Sequence, residues 1–215
     1  NTVDFGESFT VTQGGSADEV IVRAAFGGIT FEQRYSGVSK IIVAAGEGND
    51  VVNLSGITNS AITYEIDGGA GDDTITLSAA AGAATIRGGL GRDNITAGAG
   101  NDTVYGEAGD DTINAGGGVN IVFGDEGRIK DGVLRARAAF GDGNDVITTG
   151  SGADIVFGGG GNDQITDAGG AALQRQSLAA AVALAHLPGG HRQPDRRHRP
   201  RPGRRQRRHR RRRGQ

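Results

Sequence analysis

Residues 88–123 read GGLGRDNIT, AGAGNDTVY, GEAGDDTIN and AGGGVNIVF when broken every nine residues. Asp93, Asp102 and Asp111 hold the sixth place of their blocks, and Asn120 holds it in the fourth. Ile95, Val104, Ile113 and Val122 hold the eighth. A constant period of this kind is the mark of a stacked-repeat architecture, in which each unit buries its apolar face only against its neighbours.

The period extends in both directions. Upstream, AGEGNDVVN starts at 45 and GGAGDDTIT at 68; downstream, a degraded block starts at 124. After an insertion, EGRIKDGVLRARAAF, the pattern resumes with FGDGNDVIT at 140, TGSGADIVF at 149 and GGGGNDQIT at 158. The spacings from 45 to 68 and from 68 to 88 each leave room for one degenerate block.

Six turn residues followed by a three-residue strand make a plausible unit. Gly in slots one, two and four is expected to adopt positive φ and to bring backbone carbonyls together. The slot-eight aliphatic points inward, with outward neighbours. Burying one such side chain contributes about 1.5–3 kcal/mol, whereas each ordered residue costs roughly 1–2 kcal/mol of backbone entropy. A block with a stacked carboxylate therefore needs help. Carboxylate and carbonyl oxygens are the ligands that Ca²⁺ prefers, and a cation would remove the repulsion between turns and couple binding to folding. If a coil takes two blocks, turns eighteen residues apart share an edge, which pairs Asp93 with Asp111, Asp102 with Asn120 and Asp145 with Asp163. Counting the degenerate blocks as half-coils adds Asp50 and Asp73 to the Asp93–Asp111 column.

The predicted fold is all-β: a β-solenoid of stacked nonapeptide blocks over 45–167, with an insertion at 126–139. Residues 1–44 alternate and are rich in β-formers, so they read as a strand-built cap on the stack. Residues 168–215 read as a basic low-complexity tail, disordered or partly helical. The formal charge of −2 conceals a division: residues 1–170 carry 24 acids and 9 bases, and residues 171–215 carry 14 Arg and one Asp. Within that tail, Arg-Arg-Gln at 204–206 is what Gly-Gly-Asn codons of a GC-rich gene yield in a shifted frame. The tail is therefore read as out-of-frame repeat sequence, which sequencing of the gene across the junction near Gly170 would test. It has no aromatic residue for base stacking, and no nucleic-acid partner is expected. No apolar run is long enough for a membrane span. A start at Asn1 without an initiator suggests a fragment or a processed piece.

Catalysis is not expected, because residues 1–170 contain no His, no Cys and no credible nucleophile–base pair. The Asp72-Asp73 and Asp110-Asp111 doublets are explained by their place in the repeat. No phosphate-binding G-x-x-x-x-G-K-[ST] occurs, and DGND at 142–145 lacks the later Gly and the terminal Glu of an EF-hand loop. The insertion reads as a solvated excursion in preference to a partner-binding loop, and its Arg128, Lys130, Arg135 and Arg137 could also mask the acidic edge.

The blocks at 68, 88 and 158 match every slot of G-G-x-G-x-D-x-U-x, and the chain over 45–167 resembles the RTX (repeats-in-toxin) family of calcium-binding nonapeptide repeats. The resemblance implies a right-handed parallel β-roll with several Ca²⁺ ions held between successive turns by slot-six carboxylates and backbone carbonyls. Carried over, it implicates Asp50, Asp73, Asp93, Asp102, Asp111, Asp145, Asp154 and Asp163, with Asn120 as an uncharged member. The glycines of the same turns are Gly68, Gly69, Gly71, Gly88, Gly89, Gly91, Gly100, Gly109, Gly143, Gly152, Gly159 and Gly161. Asn120 lacks charge and Ile129 stands where the block at 124 needs Asp, so sites touching either are expected to be weak or empty. The resemblance further implies a calcium-binding module of a larger bacterial protein, secreted by the one-step type I route and folding outside the cell. Two other readings remain open: part of a secreted enzyme or toxin whose active domain lies elsewhere, and a metal-independent adhesin spacer.

Overall fold

The computed structural model describes residues 6–77, 82–136, 141–170 and 173–175. The expectations for the basic tail beyond residue 175, and for Arg137, lie outside the described residues.

Three strands open the chain: β1 (Ser8–Gln13), β2 (Val20–Phe26) and β3 (Ile29–Tyr35). Next come β4 (Lys40–Glu47), β5 (Val51–Gly56), β6 (Thr63–Ala70), β7 (Thr74–Thr76), β8 (Ala84–Leu90) and β9 (Asn94–Thr96). Then follow β10 (Thr103–Ala108), β11 (Thr112–Asn114), β12 (Ile121–Phe123), β13 (Gly127–Lys130) and β14 (Val133–Ala136). The last four are β15 (Val146–Gly152), β16 (Ile155–Phe157), β17 (Gln164–Gly170) and β18 (Leu173–Arg175). No helix occurs among the described residues.

From β4 onward, successive strands alternate between two sheets, apart from β13 and β14. One sheet runs β17-β15-β11-β9-β7-β5-β1-β2-β3 and the other β18-β16-β12-β10-β8-β6-β4. Every pairing from β4 to β18 within these sheets is parallel. Two blocks thus make one coil of a β-solenoid. Both wide spacings are filled as the period requires, since β6 and β8 occupy the degenerate half-coils.

The register stacks like on like. Val52, Ile75, Ile95, Ile113, Ile147 and Ile165 form one inward column. Ile66, Ile86, Val104, Val122 and Val156 form the facing one. Ile75, Ile95, Val104, Val122, Ile147 and Val156 are fully buried. Leu54, Ile57, Ile62, Leu77, Ala84, Ala97 and Ala115 are buried in the same cluster, so the core is a narrow seam of aliphatic side chains.

Both ends of the roll run past the limits read from the repeat. β1 already pairs in parallel with β5, while β2 and β3 extend that sheet antiparallel. At the other end β18 pairs with β16 inside the segment assigned to the tail, because ladder bonding continues after the Gly-Asp signature has faded.

The insertion is not an irregular excursion. β13 and β14 form an antiparallel hairpin closed by Asp131 and Gly132, both at positive φ. Asp-Gly with two left-handed residues is the turn whose twist matches a two-stranded ribbon. Ile129 therefore lies in a strand of this hairpin and is not a failed slot-six residue. The columns step directly from one side of the hairpin to the other.

Candidate metal centre

Along one edge of the roll, each slot-six carboxylate reaches back to the coil before it. The backbone N–H of Asp50 donates to Asp73 Oδ1, that of Asp73 to Asp93 and that of Asp93 to Asp111, each at 2.8 Å. The Asp111 N–H donates to Asp145 Oδ1 at 2.9 Å across the insertion, and Asp145 to Asp163 at 3.1 Å. The Glu7 N–H donates to Asp50 and closes the column. On the opposite edge, Ala84 donates to Asp102, Asp102 to Asn120 Oδ1 and Asn120 to Asp154. The structure thus brings together the Asp93–Asp111, Asp102–Asn120 and Asp145–Asp163 pairs that the spacing predicts.

The second oxygen is the informative one. Oδ2 of Asp50, Asp73, Asp93, Asp102, Asp111, Asp145 and Asp154 is buried with no hydrogen-bond partner. Asp50, Asp93, Asp102, Asp111, Asp145 and Asp154 are each 1% exposed. A Cβ on Gly88 would overlap Asp93 Oδ2 and crowd the Gly106 carbonyl, and Gly68 bears the same relation to Asp73 and Gly88. Slot-one Gly68 and Gly88 therefore make room for a carboxylate beside a carbonyl. They do not supply positive φ, which corrects the expectation for that slot. Left-handed backbone belongs to slots two and four, as at Gly69 (φ 108°) and Gly71 (φ 135°). Gly89, Gly91, Gly109, Gly152, Gly159 and Gly161 are left-handed too. Gly100 and Gly143 are not, and there the constraint is the carbonyl of Gly82 or Gly109 in the preceding coil.

Four copies of one family's repeat match the chain, at residues 65–80, 78–113, 102–128 and 141–166: the RTX calcium-binding nonapeptide repeat. The repeats of residues 65–166 belong to the RTX family. No curated protein and no solved structure matches the chain. RTX nonapeptide repeats bind calcium, and they do so as a β-roll of the architecture seen here.

The residues present fit such an ion. Burying an unpaired carboxylate costs on the order of several kcal/mol, and an RTX edge stacks one in every coil. Burial pushes Asp111 up to about 8, Asp93 and Asp145 to about 7, and Asp73 and Asp102 to about 6. Neighbouring acids add to desolvation at Asp111, where Asp93, Asp145 and Asp125 contribute. Among the described residues no three acidic or His side chains converge on one point. A ligand set here would be one or two carboxylates completed by backbone carbonyls, which suits a hard cation of variable coordination.

Asn120 shows what the orphan oxygen faces. Its Oδ1 accepts as an Asp would, and its amide nitrogen donates to the carbonyls of Ala115 at 3.2 Å and Gly117 at 3.1 Å. Slot-one and slot-three carbonyls of this block thus converge on the second atom of the slot-six side chain. At Asn120 an N–H satisfies them.

Three features escaped the sequence reading. Asp125 is 1% exposed and accepts from the N–H of Gly143 at 2.9 Å and of Gly160 at 2.5 Å. Burial pushes it up to about 6. In regular coils a slot-four N–H donates to a backbone carbonyl of the next coil, as Gly71 does to Leu90. The Asp125 side chain replaces that carbonyl beside the insertion, and no repeat slot marks it. The second feature is a slot-five ladder of opposite sense, in which Asp72 donates to Asn49, Arg92 to Asp72, Asn144 to Asp110 and Asn162 to Asn144. The recurring GND and GDD triplets were its signal. The third is the Thr149 hydroxyl, fully buried and without a partner in slot one of the Asp154 turn.

Proposed function

We propose that this chain is a calcium-coupled folding module of a secreted or cell-surface bacterial protein, with Ca²⁺ seated at the slot-six carboxylates. The ligands we assign are Asp50, Asp73, Asp93, Asp102, Asp111, Asp145, Asp154 and Asp163, completed by carbonyls of their glycine turns. The observation that carries this reading is the set of buried Oδ2 atoms without partners, those of Asp73, Asp93, Asp111 and Asp145 lying beside a backbone carbonyl of the next coil. When bound, the ion supplies positive charge to oxygens that otherwise repel. The chain's own contribution is to pre-arrange them: Oδ1 is held by the neighbouring coil's N–H, which leaves Oδ2 aimed into the turn. The Asn120 turn, closed by its own amide, takes no ion or holds it weakly.

Extracellular calcium modules work at Kd on the order of 10⁻⁴–10⁻³ M, so the module folds where calcium is millimolar and stays open where it is scarce. An unfolded chain in a secretion channel and a folded one outside follow from that difference. The role is structural, with any catalytic or pore-forming activity residing outside these residues.

Calcium titration of the full chain by far-UV circular dichroism tests this. We expect a cooperative gain of β signal over the submillimolar-to-millimolar range. A β signal already complete in chelator would favour the metal-independent spacer.

A further inference from the structure

The β13–β14 hairpin carries a face that the calcium-binding role leaves unused. Pairing sets Arg128 opposite Arg135 and Lys130 opposite Val133, which places those four side chains on one face of the ribbon. All four are exposed, Val133 at 49%. At the root of the ribbon, Gly127 lies against the ring of Phe123. Phe123 is stacked between Tyr105 and Phe157 at centroid distances of 5.1 and 5.0 Å. That aromatic ladder gives the hairpin root a firm seat.

The charge arrangement is unlike the rest of the roll. Arg23, Arg34, Lys40, Arg87 and Arg92 each form an ion pair with Glu32, Glu19, Glu65, Glu107 and Asp110 respectively. Among the described residues, Arg128, Lys130 and Arg135 form none, although acids outnumber bases 24 to 9 over residues 1–170. Arg128 and Arg135 also oppose each other across the ribbon, a pairing that weakens a hairpin. Three unpaired cations around an exposed Val match a surface of phosphate headgroups with hydrocarbon beneath. Each Lys or Arg near an anionic leaflet favours binding, and an apolar side chain among them adds a contact that a soluble polyanion cannot offer.

We propose that this hairpin face is a docking surface for an anionic phospholipid membrane, holding the folded roll against the bilayer through Arg128, Lys130, Arg135 and Val133.

The Arg-rich segment beyond residue 171 would itself bind anions, so the test must report on the hairpin locally. The chain has no Trp, which makes Val133→Trp a unique probe in the full chain. Val51→Trp, on the outer face of the other sheet, is its control. Both are mixed, in saturating calcium, with phosphatidylcholine vesicles containing brominated lipid, with and without phosphatidylglycerol. Circular dichroism in calcium confirms that each variant folds, and failure there would count against the calcium reading instead. We expect quenching of the Val133→Trp protein on phosphatidylglycerol vesicles only, none in the control, and loss of quenching when Arg128, Lys130 and Arg135 are also changed to Ser. Three results overturn the proposal: vesicle co-sedimentation without quenching at position 133, quenching that survives the Ser changes, or abolition of quenching by soluble polyphosphate while co-sedimentation persists.

Discussion

The two edges of the roll use the same nonapeptide differently. On the Asp73–Asp93–Asp111–Asp145 edge, every slot-six member between Asp50 and Asp163 is a carboxylate, and slot one is Gly at 68, 88, 106 and 158 but Ala45 and Phe140 in the other two blocks. On the Asp102–Asn120–Asp154 edge, slot one is Ala97, Ala115 and Thr149, and the middle coil carries an amide. The Asn120 turn completes its hydrogen bonds with its own atoms. The Oδ2 atoms of Asp73, Asp93, Asp111 and Asp145 on one edge, and of Asp102 and Asp154 on the other, have no hydrogen-bond partner. A change from oxygen to NH₂ at one atom separates a turn that closes by itself from turns that leave a buried oxygen unpartnered.

The largest effect should come from breaking the carboxylate edge. Asp93→Ala with Asp111→Ala removes two charge-assisted backbone bonds and two candidate ligands. Each such bond is worth roughly 1.5–3 kcal/mol, so the calcium midpoint should rise by at least about tenfold and cooperativity should fall. Asn120→Ala in the same titration should move the midpoint less. Equal shifts for the two proteins would show that the edges are equivalent.

Asp125→Ala ranks next. It leaves the buried N–H of Gly143 without an acceptor, at about 1–3 kcal/mol, and the part-buried N–H of Gly160 as well. Thermal unfolding in saturating calcium should shift to lower temperature, while Asp131→Asn, which tolerates the left-handed backbone of the exposed hairpin turn, should leave it unchanged.

Asn120→Asp sharpens the comparison in the other direction. It removes the donor to the Ala115 and Gly117 carbonyls and creates another orphan oxygen. Metal analysis of the calcium-loaded protein should then count one more bound ion than in the wild type. An unchanged count would mean that slot-six charge does not define a site.

The smallest effect is that of pH in chelator. The folded values of about 6 to 8 for Asp73, Asp93, Asp102, Asp111 and Asp145 lie above the ordinary 3.8 because of burial. Protons therefore bind the folded state more tightly and stabilise it without metal. That contribution is complete below about pH 4 and is lost as pH rises through 6 to 8. Metal-free β signal should grow on acidification from pH 8 to 5, and calcium binding at neutral pH should release protons, which calorimetry in buffers of different ionisation enthalpy detects.

Much of this was legible beforehand because the repeat encodes it at single positions. A strict period places Ile95 above Ile113 and Asp93 above Asp111, and ladder bonding permits no other register. What the sequence did not disclose depends on contacts without a period. Asp125 acts because the hairpin returns the chain beside it, and its neighbours in sequence look like a decayed block. The role of slot-one Gly was misjudged because a missing Cβ serves both for positive φ and for space, and only the position of Asp93 Oδ2 distinguishes the two. The hairpin was spelled by Lys-Asp-Gly-Val at 130–133, but the repeat frame drew Ile129 into a slot it does not occupy.

Amide hydrogen exchange at neutral pH tests the central claim most directly, because the N–H groups of Asp73, Asp93 and Asp111 donate to the very carboxylates in question. Slow exchange at these amides in calcium and near-random-coil exchange in EGTA is the predicted result. Protection that persists undiminished in EGTA would contradict it, since the stacked carboxylates would then be holding their order without a cation.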